Sequence, residues 1–317
     1  MAKIGFIGCH EVSFHCLKEI CKLSNLYNDE IKIVFNLPPD EASKHSASTS
    51  FESLKNEFEF PLFYVKNVSD EENLQLLKNA DLDILFIIGW HRIVPQIVLE
   101  QSPINIGIHT SMLPKDRGSS PLNWQLIRGE KESGATLFHL SEGVDSGAII
   151  DQQKFFLDEN DTIQTAYFKS TIISLELLSK NWESIHNLEP KQITQNEAES
   201  TKNERRKPSD GLINWNMTTI ECYNWIRALT FPYPGAFTFW NNKKILIWKA
   251  NIHEQKHEQK HEQKPGTVLS THPKLLISTG NGVIEIELLQ IENDPICDSN
   301  LFVKSYGVQS NDILTQV

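Results

Sequence analysis

Paired cysteines are missing from this sequence. Its five, Cys9, Cys16, Cys21, Cys222 and Cys297, are odd in number and none stands in a CxxC. That spacing excludes the usual zinc cluster or dithiol redox motif and marks the thiols as reduced structural side chains. Long apolar runs are missing too. None reaches the roughly 18 residues that a membrane helix needs, and the opening "MAKIGFIG" lacks the charged, apolar and small-residue succession of a secretory signal. The expected location is therefore the cytoplasm, without a membrane partner. Positive charge is scarce, with 30 Lys and Arg against 41 Asp and Glu for a formal net charge of -11. Such a balance argues against extended, sequence-blind attachment to nucleic acid or to an anionic surface, and favours small-molecule work. Finally, "GFIGCH" holds only Gly5 and Gly8. A dinucleotide fingerprint needs three glycines, so nicotinamide binding is disfavoured.

What is present is a globular chain of 317 residues, 39% apolar, long enough for about two domains. "KIGFIG" followed by "VSFHCLKEICKLS" reads as strand then helix. "IKIVFNL", "FPLFYV", "DLDILFIIG" and "INIGIH" repeat short β-rich runs, with "DEENLQLLKNA" helical between the second and third. This alternation implies an α/β fold with a Rossmann-like, mostly parallel sheet covered by helices on its faces. "SPLNWQLIRG" reads as a short helix, and "GATLFHL" and "AIIDQQKFFL" as strands flanking the turn "SEGVDSG". A long amphipathic helix follows, with Asp161 and Gln164 spaced as a capping box and Ile173, Leu177, Leu178, Trp182 and Ile185 along one stripe.

The polar stretch Glu189 to Gly211 reads as a solvated connection. The expected domains are residues 1–203, carrying the chemistry, and residues 204–317. The second opens with the helix "TIECYNWIRALT" and continues as short strands, the pattern of a small OB-like β-barrel. Three tandem copies of "HEQK", His253 to Lys264, interrupt it. Their histidines at i, i+4 and i+8 can share a helix face and hold a metal; the competing reading, which we adopt, is a solvated hairpin extension with no metal site.

Two histidines stand where ligands of open α/β sheets bind, at the carboxyl ends of strands. His10 follows the first strand in "GCHEVS" and is either a substrate contact or an exposed loop residue. His109 ends "INIGIH", with Asn105 and Gly107 on the same face of the strand. Histidine exchanges protons near neutral pH if something orients it, and Asp145, in the glycine-flanked turn "EGVDSG", is the candidate. On spacing alone, a lone histidine at a strand end is more often a satisfied structural residue than a catalytic one.

The block "GIHTSMLPKDRGSSPLNWQLIRGEKESGATLFHLSEGVDSGAIIDQ" resembles the signature of the folate-dependent formyltransferases, NxHxSxLPxxRGxxP, then GxT, then a DxG turn. Farther on, "RRKPSDGLINW", "IRALTFPYPGAF" and "GTVL" resemble the carboxyl-terminal domain of methionyl-tRNA formyltransferase and its sugar-modifying relatives. The likeness implies that His109 and Asp145 are the catalytic pair and that 10-formyltetrahydrofolate is the donor. By the same likeness Trp90, Arg92, Ile93, Val94, Ser141, Glu142 and Val144 form the folate pocket. For "RIV" a helix start over the core is the competing reading. His10, Lys115 and Arg117 are the candidates for substrate contact, the last two facing a phosphate or, alternatively, solvent.

The family's catalytic asparagine falls on Gly107, a departure that removes an oxyanion donor of the tetrahedral intermediate, worth about 3 kcal/mol. Asn105 sits roughly 7 Å back along the strand and does not substitute for it. The implied reaction is attack of a neutral primary amine on the formyl carbon, with His109 taking the proton. Transfer-RNA relatives carry a basic insertion in the first domain, whereas "LPPDEASKHSASTSFESLKNE" is neutral to acidic. The expected substrate is thus a nucleotide-linked amino sugar. Methionyl-tRNA formylation, a folate-binding protein without transferase activity and a 10-formyltetrahydrofolate hydrolase stand as alternatives. A homodimer is the expected assembly on the same resemblance.

Overall fold

The structure is a computed structural model that describes residues 1–253 and 263–315. Most of the HEQK repeat, and with it the metal-holding alternative, lies outside the described residues. The chain forms two compact units. Met1–Pro121, Glu132–Phe156 and Tyr167–Glu204 make the first; Leu122–Lys131, Leu157–Ala166 and Arg205–Val317 make the second.

The first unit begins with β1 (Lys3–Ile7), α1 (Glu11–Tyr27) and β2 (Glu30–Asn36). It continues through α2 (Pro39–Ala42), α3 (Glu52–Phe58), β3 (Leu62–Tyr64), α4 (Glu71–Ala80) and β4 (Ile84–Ile87) to α5 (Gln96–Leu99) and β5 (Ile104–His109). Then come β6 (Arg117–Gly118), α6 (Pro121–Arg128), which from Leu122 on belongs to the second unit, β7 (Glu132–His139), β8 (Ile149–Phe156), α7 (Ile163–His186), whose residues up to Ala166 also belong there, and β9 (Lys202–Asn203). Seven strands form one sheet in the order β3-β2-β1-β4-β5-β7-β8, parallel from β3 to β5 and antiparallel from β5 to β8. Interior parallel strands are covered on both faces, so β4, "ILFI", is buried at every position instead of alternating. On one face Ile7, Phe35, Leu77, Leu85, Val98 and Leu99 share a core. Elsewhere Trp182 of α7 stacks on Phe86 of β4, ring centroids 5.9 Å apart and 7° from parallel.

The stripe expected along α7 is buried, Ile173 through Ile185. Its cap differs by one residue. Thr162 N–H donates to Thr165 Oγ1 (2.9 Å) and Thr165 N–H returns to Thr162 Oγ1 (3.5 Å), while Asp161 Oδ2 accepts from Asp158 N–H (2.7 Å). A hydroxyl closes the reciprocal cap as well as a carboxylate does, and the acid is drawn into the preceding turn. The stretch read as a solvated connection is also partly ordered into the sheet region. Ile193 bridges Ile149, β9 pairs with β6, and Gln195 is only 6% exposed.

In the second unit α8 (Thr219–Leu229) starts with a capping box, Glu221 N–H to Thr218 Oγ1 and Thr218 N–H to Glu221 Oε2. The strands are β10 (Ala236–Trp240), β11 (Lys243–Ile252), β12 (Val268–Ser270), β13 (Leu275–Ser278), β14 (Val283–Ile291) and β15 (Cys297–Asp298), followed by α9 (Ser299–Tyr306). They curl as an antiparallel half-barrel sheet in the order β10-β11-β14-β13-β12, with β15 beside β14. α9 was not apparent from periodicity; Asp298 caps it by accepting from Leu301 N–H, and Gly307 ends it in the left-handed conformation, φ 73°. The tail then runs along both outer strands. Thr315 exchanges backbone hydrogen bonds with Phe239 of β10, and Leu314 and Asn311 N–H donate to Gly266 and Val268 carbonyls at the β12 side. Among the described residues no helix is long and apolar enough to cross a membrane.

Candidate active site

Parallel strands deliver their carboxyl ends to one edge, and the strand order reverses direction of growth between β1 and β4, the place where open α/β sheets bind ligands. His10 leaves β1 there, Trp90 and His91 leave β4, and His109 ends β5. His109 is 8% exposed. Its Nε2 lies 2.7 Å from the carbonyl oxygen of Asp116, which can only accept, so Nε2 carries the proton and Nδ1 is the nitrogen left for chemistry. Nδ1 lies 3.6 Å from Asp145 Oδ2. Two residues 36 positions apart in sequence number thus converge.

Both partners of His109 are held in left-handed backbone, φ 58° at Asp116 and 51° at Asp145. Non-glycine residues hold that conformation when their surroundings over-determine it. Asp116 N–H donates to Thr201 Oγ1 (2.8 Å), and Asn203 Nδ2 donates to Asp116 Oδ1 (2.9 Å). Asp145 Oδ2 accepts from Gly118 N–H (2.8 Å). The carbonyls of Asp145 and Gly147 both accept from Gln195 Nε2, at 2.8 and 2.7 Å. Gln195 Oε1 in turn accepts from Arg117 Nε and Nη2, and Arg117 forks onto both carboxylate oxygens of Glu197 at 2.9 and 2.7 Å.

Arg117 therefore corrects one expectation. It is buried at 8% exposure and its fork is taken up by Glu197 and Gln195, so it does not face a substrate phosphate. Lys115, next to it, is exposed. Gln195, Thr201 and Asn203 were missed because they lie in a stretch whose composition is that of a linker; only the isolated Ile193 hinted at order.

Gly107, where the family's asparagine belongs, is buried. A Cβ built on it would lie 2.8 Å from Leu140 Cδ2 and 3.1 Å from Phe138 Cε1, so apolar atoms fill the space of the missing amide. Leu140 belongs to an apolar wall with Leu113, Phe138 and Ile149.

Of the residues expected around a pterin, Trp90 and Val94 are half-buried and pack on the same core as Leu140. Ile93 projects with 78% exposure, and Arg92, Ser141 and Glu142 are exposed, while Val144 is half-buried. α5 begins only at Gln96, after Pro95, so "RIV" is loop and the helix-start reading does not hold. Ser141 Oγ sits 3.2 Å from Ser146 Oγ, tying the two sides of the turn that carries Asp145. The half-buried apolar side chains and the exposed Ile93 suit a flat heteroaromatic ring; no charged group stands among them except Arg92 and Glu142.

His10 does not stand alone. His45 faces it closely enough to disfavour its charged form, and the His45 and His91 rings are 4.5 Å apart. Burial first, then His45, pushes His10 down to about 4, so at neutral pH it is an uncharged donor or acceptor. Cys9 lies 4.0 Å from His91 Nδ1; burial pushes its thiol up to about 12, which keeps it protonated and inert. His45 comes from a segment without a motif, whereas His91 stands between the expected pocket residues Trp90 and Arg92 and was passed over.

Comparison with known proteins places both parts of the chain in one family. The family model described as formyl transferase matches residues 10–178, and that of the formyl transferase carboxyl-terminal domain matches residues 205–307. The bifunctional polymyxin resistance protein ArnA of Wigglesworthia glossinidia brevipalpis is 33% identical over 285 residues, 90% of this chain and 42% of its own length. The chain thus spans less than half of that relative. Among solved structures, an N-formyltransferase from Helicobacter canadensis in complex with folinic acid and dTDP-3-aminofucose aligns at TM-score 0.66 and 23% identity, over 90% of this chain and 99% of that one. A methionyl-tRNA formyltransferase from Clostridium thermocellum aligns at TM-score 0.56 and 19% identity, over 80% and 94%. HypX from Aquifex aeolicus, with tetrahydrofolic acid, aligns at TM-score 0.65 and 19% identity, over 99% of this chain and 50% of that one. At these identities the structural matches speak for the fold.

Proposed function

The chain belongs to the formyl transferase family, and on that premise we propose that it is an N-formyltransferase moving the formyl group of 10-formyltetrahydrofolate to the amine of a nucleotide-linked amino sugar. The observation that carries the reading is the placement of His109 Nδ1 and the Asp145 carboxylate 3.6 Å apart at the carboxyl edge of the sheet. When bound, the donor supplies an electrophilic formyl carbon. Trp90, Ile93, Val94 and Val144 would hold its ring, with Arg92, Ser141 and Glu142 at the rim.

His109 enters neutral, its Nε2–H fixed on the Asp116 carbonyl. Nδ1 is then free to take the proton that the attacking amine must lose. The imidazolium so formed faces the Asp145 carboxylate, which stabilises it, and its Nδ1–H can also face the negative charge that develops on the formyl oxygen; His109 would then return the proton to the donor nitrogen as the bond from that nitrogen to the formyl carbon breaks. That double use offsets only part of the loss of the amide at Gly107. Lys115 and the imidazoles of His10, His45 and His91 supply a cation and hydrogen-bonding nitrogens toward the sugar nucleotide. A nucleotide sugar is preferred over transfer RNA because the stretch between β2 and β3 carries no basic excess with which to grip phosphates. The Helicobacter canadensis structure, crystallised with a dTDP-aminosugar, points the same way.

The test is incubation with 10-formyltetrahydrofolate, with and without a panel of amino-sugar nucleotides, following tetrahydrofolate release. Release that depends on the amine supports transfer. Release without it marks a hydrolase, and absence of release a folate-binding protein; either outcome rejects the proposal. Salt-sensitive binding and formylation of initiator transfer RNA would reject the sugar substrate.

A further inference from the structure

We infer that Gln195 is a positioning residue for the catalytic turn, one that sets the place of the Asp145 carboxylate through the turn's own backbone. The inference rests on the formyl-transfer reading above and goes beyond it by adding a residue from a segment that carries no motif. Gln195 is 6% exposed, and every hydrogen-bonding group of its amide is engaged. Its two N–H bonds go to the carbonyls of Asp145 and Gly147, at 2.8 and 2.7 Å, so one side chain pins the backbone on both sides of Ser146. Its carbonyl is held by Arg117 Nε and Nη2 at 3.1 and 2.7 Å. Arg117 cannot drift, because Glu197 grips the rest of its fork.

The geometry makes this more than a general brace. Asp145 stands at φ 51°, a conformation that a non-glycine residue relaxes out of unless held. Among the described residues its Oδ2, facing His109 Nδ1, is aimed by the Gly118 N–H that it accepts and by the backbone that Gln195 pins. Gly118 follows Arg117 directly, so both constraints return to the same two residues, and a shift of Gln195 moves carboxylate and Gly118 relative to each other. His109 is anchored separately, on the carbonyl of Asp116, whose N–H donates to Thr201 Oγ1 and whose Oδ1 accepts from Asn203 Nδ2. Disturbing Gln195 therefore displaces the acid from the base and leaves the base in place. Displacements of about an ångström at a reacting pair cost on the order of 100-fold in rate.

Gln195→Glu is the discriminating variant. It keeps size and the contact with Arg117, but turns the two donors into an oxygen facing two carbonyls. The expected result is a 10- to 100-fold fall in kcat with KM for 10-formyltetrahydrofolate changed less than twofold, together with faster hydrogen exchange at the Gly118 amide, whose acceptor is the Asp145 carboxylate. Gln195→Asn, which keeps both polar groups and withdraws them by one methylene, carries the same test if the glutamate variant does not fold. Wild-type kcat in the folded variant overturns the inference, and so does a fall in kcat that comes with an equal rise in KM or with unchanged Gly118 exchange. If the wild-type protein transfers no formyl group, the function proposed above fails, and the Gly118 exchange still reads whether Gln195 places the acid.

Discussion

Restoring an amide at position 107 tests how the site works without one. A Cβ there would lie 2.8 Å from Leu140 Cδ2, 3.3 Å from Leu140 Cγ and 3.1 Å from Phe138 Cε1. Carbon atoms prefer separations of about 3.5–4.0 Å, so Gly107→Asn alone must push both side chains outward. Overpacking of this kind costs about 1–3 kcal/mol. The lower half of that range is expected, because Leu140 is half-buried and its end can turn. The new amide, displaced by Leu140, then gains little in rate. Leu140→Ala removes the atoms in its way. A well-aimed donor at an oxyanion contributes about 3 kcal/mol, or about 100-fold; with imperfect seating the double variant Gly107→Asn/Leu140→Ala is expected to raise kcat about 10- to 100-fold. The assay is amine-dependent tetrahydrofolate release at saturating substrates, run beside thermal unfolding of the wild type, both single variants and the double. A single Gly107→Asn variant as fast as the double and as stable as the wild type would show that Leu140 does not occupy the amide's place. A double variant no faster than the wild type would show that the chemistry has no use for an amide there.

Three further outcomes follow from the geometry. His109→Asn should lower kcat by about 10²–10⁴-fold while leaving the unfolding temperature within a few degrees; unchanged turnover refutes the assignment of the base. His10, held at about 4 against an ordinary 6.5, binds its proton in the unfolded chain before it does so in the folded one. Stability is therefore fully present above about pH 6.5 and is lost as pH falls toward 4, by up to about 3 kcal/mol; His10→Gln should flatten urea midpoints across that window, and an unaltered slope would show that His10 is not the group responsible. Trp182 is fully buried on Phe86 and its indole N–H has no partner among the described residues. Trp182→Phe should thus cost under about 2 kcal/mol, against about 3–5 for Trp182→Ala, with equal costs for the two arguing against a stacking role.

The parallel sheet, its helices and the antiparallel second unit were legible because period-2 and period-3.6 patterns are written in apolar residues, as in β4 and α7. His109 and Asp145 were legible for another reason: a motif fixes their order, and strand topology fixes their common edge. What escaped is held by polar side chains over long sequence separations. Gln195 reads as linker because burial of a glutamine leaves no apolar signature, and its partner carbonyls have no side-chain identity at all. Arg117 was misread in the same way, since a guanidinium looks equally fit for a substrate phosphate and for Glu197 until the fold brings that glutamate alongside. His45 and His91 meet only through loops, where no periodicity constrains position.

The tail that runs beside β10 and β12 has a bearing on how the second unit survives in a crowded solution. Residues 311–315 occupy hydrogen-bonding positions along both outer strands of the curled sheet. Without them two rims of bare peptide groups would face outward on one small module, each a template for strand addition from a neighbouring molecule. A chain shortened by those residues is accordingly expected to be lost to insoluble association at temperatures where its core still holds together.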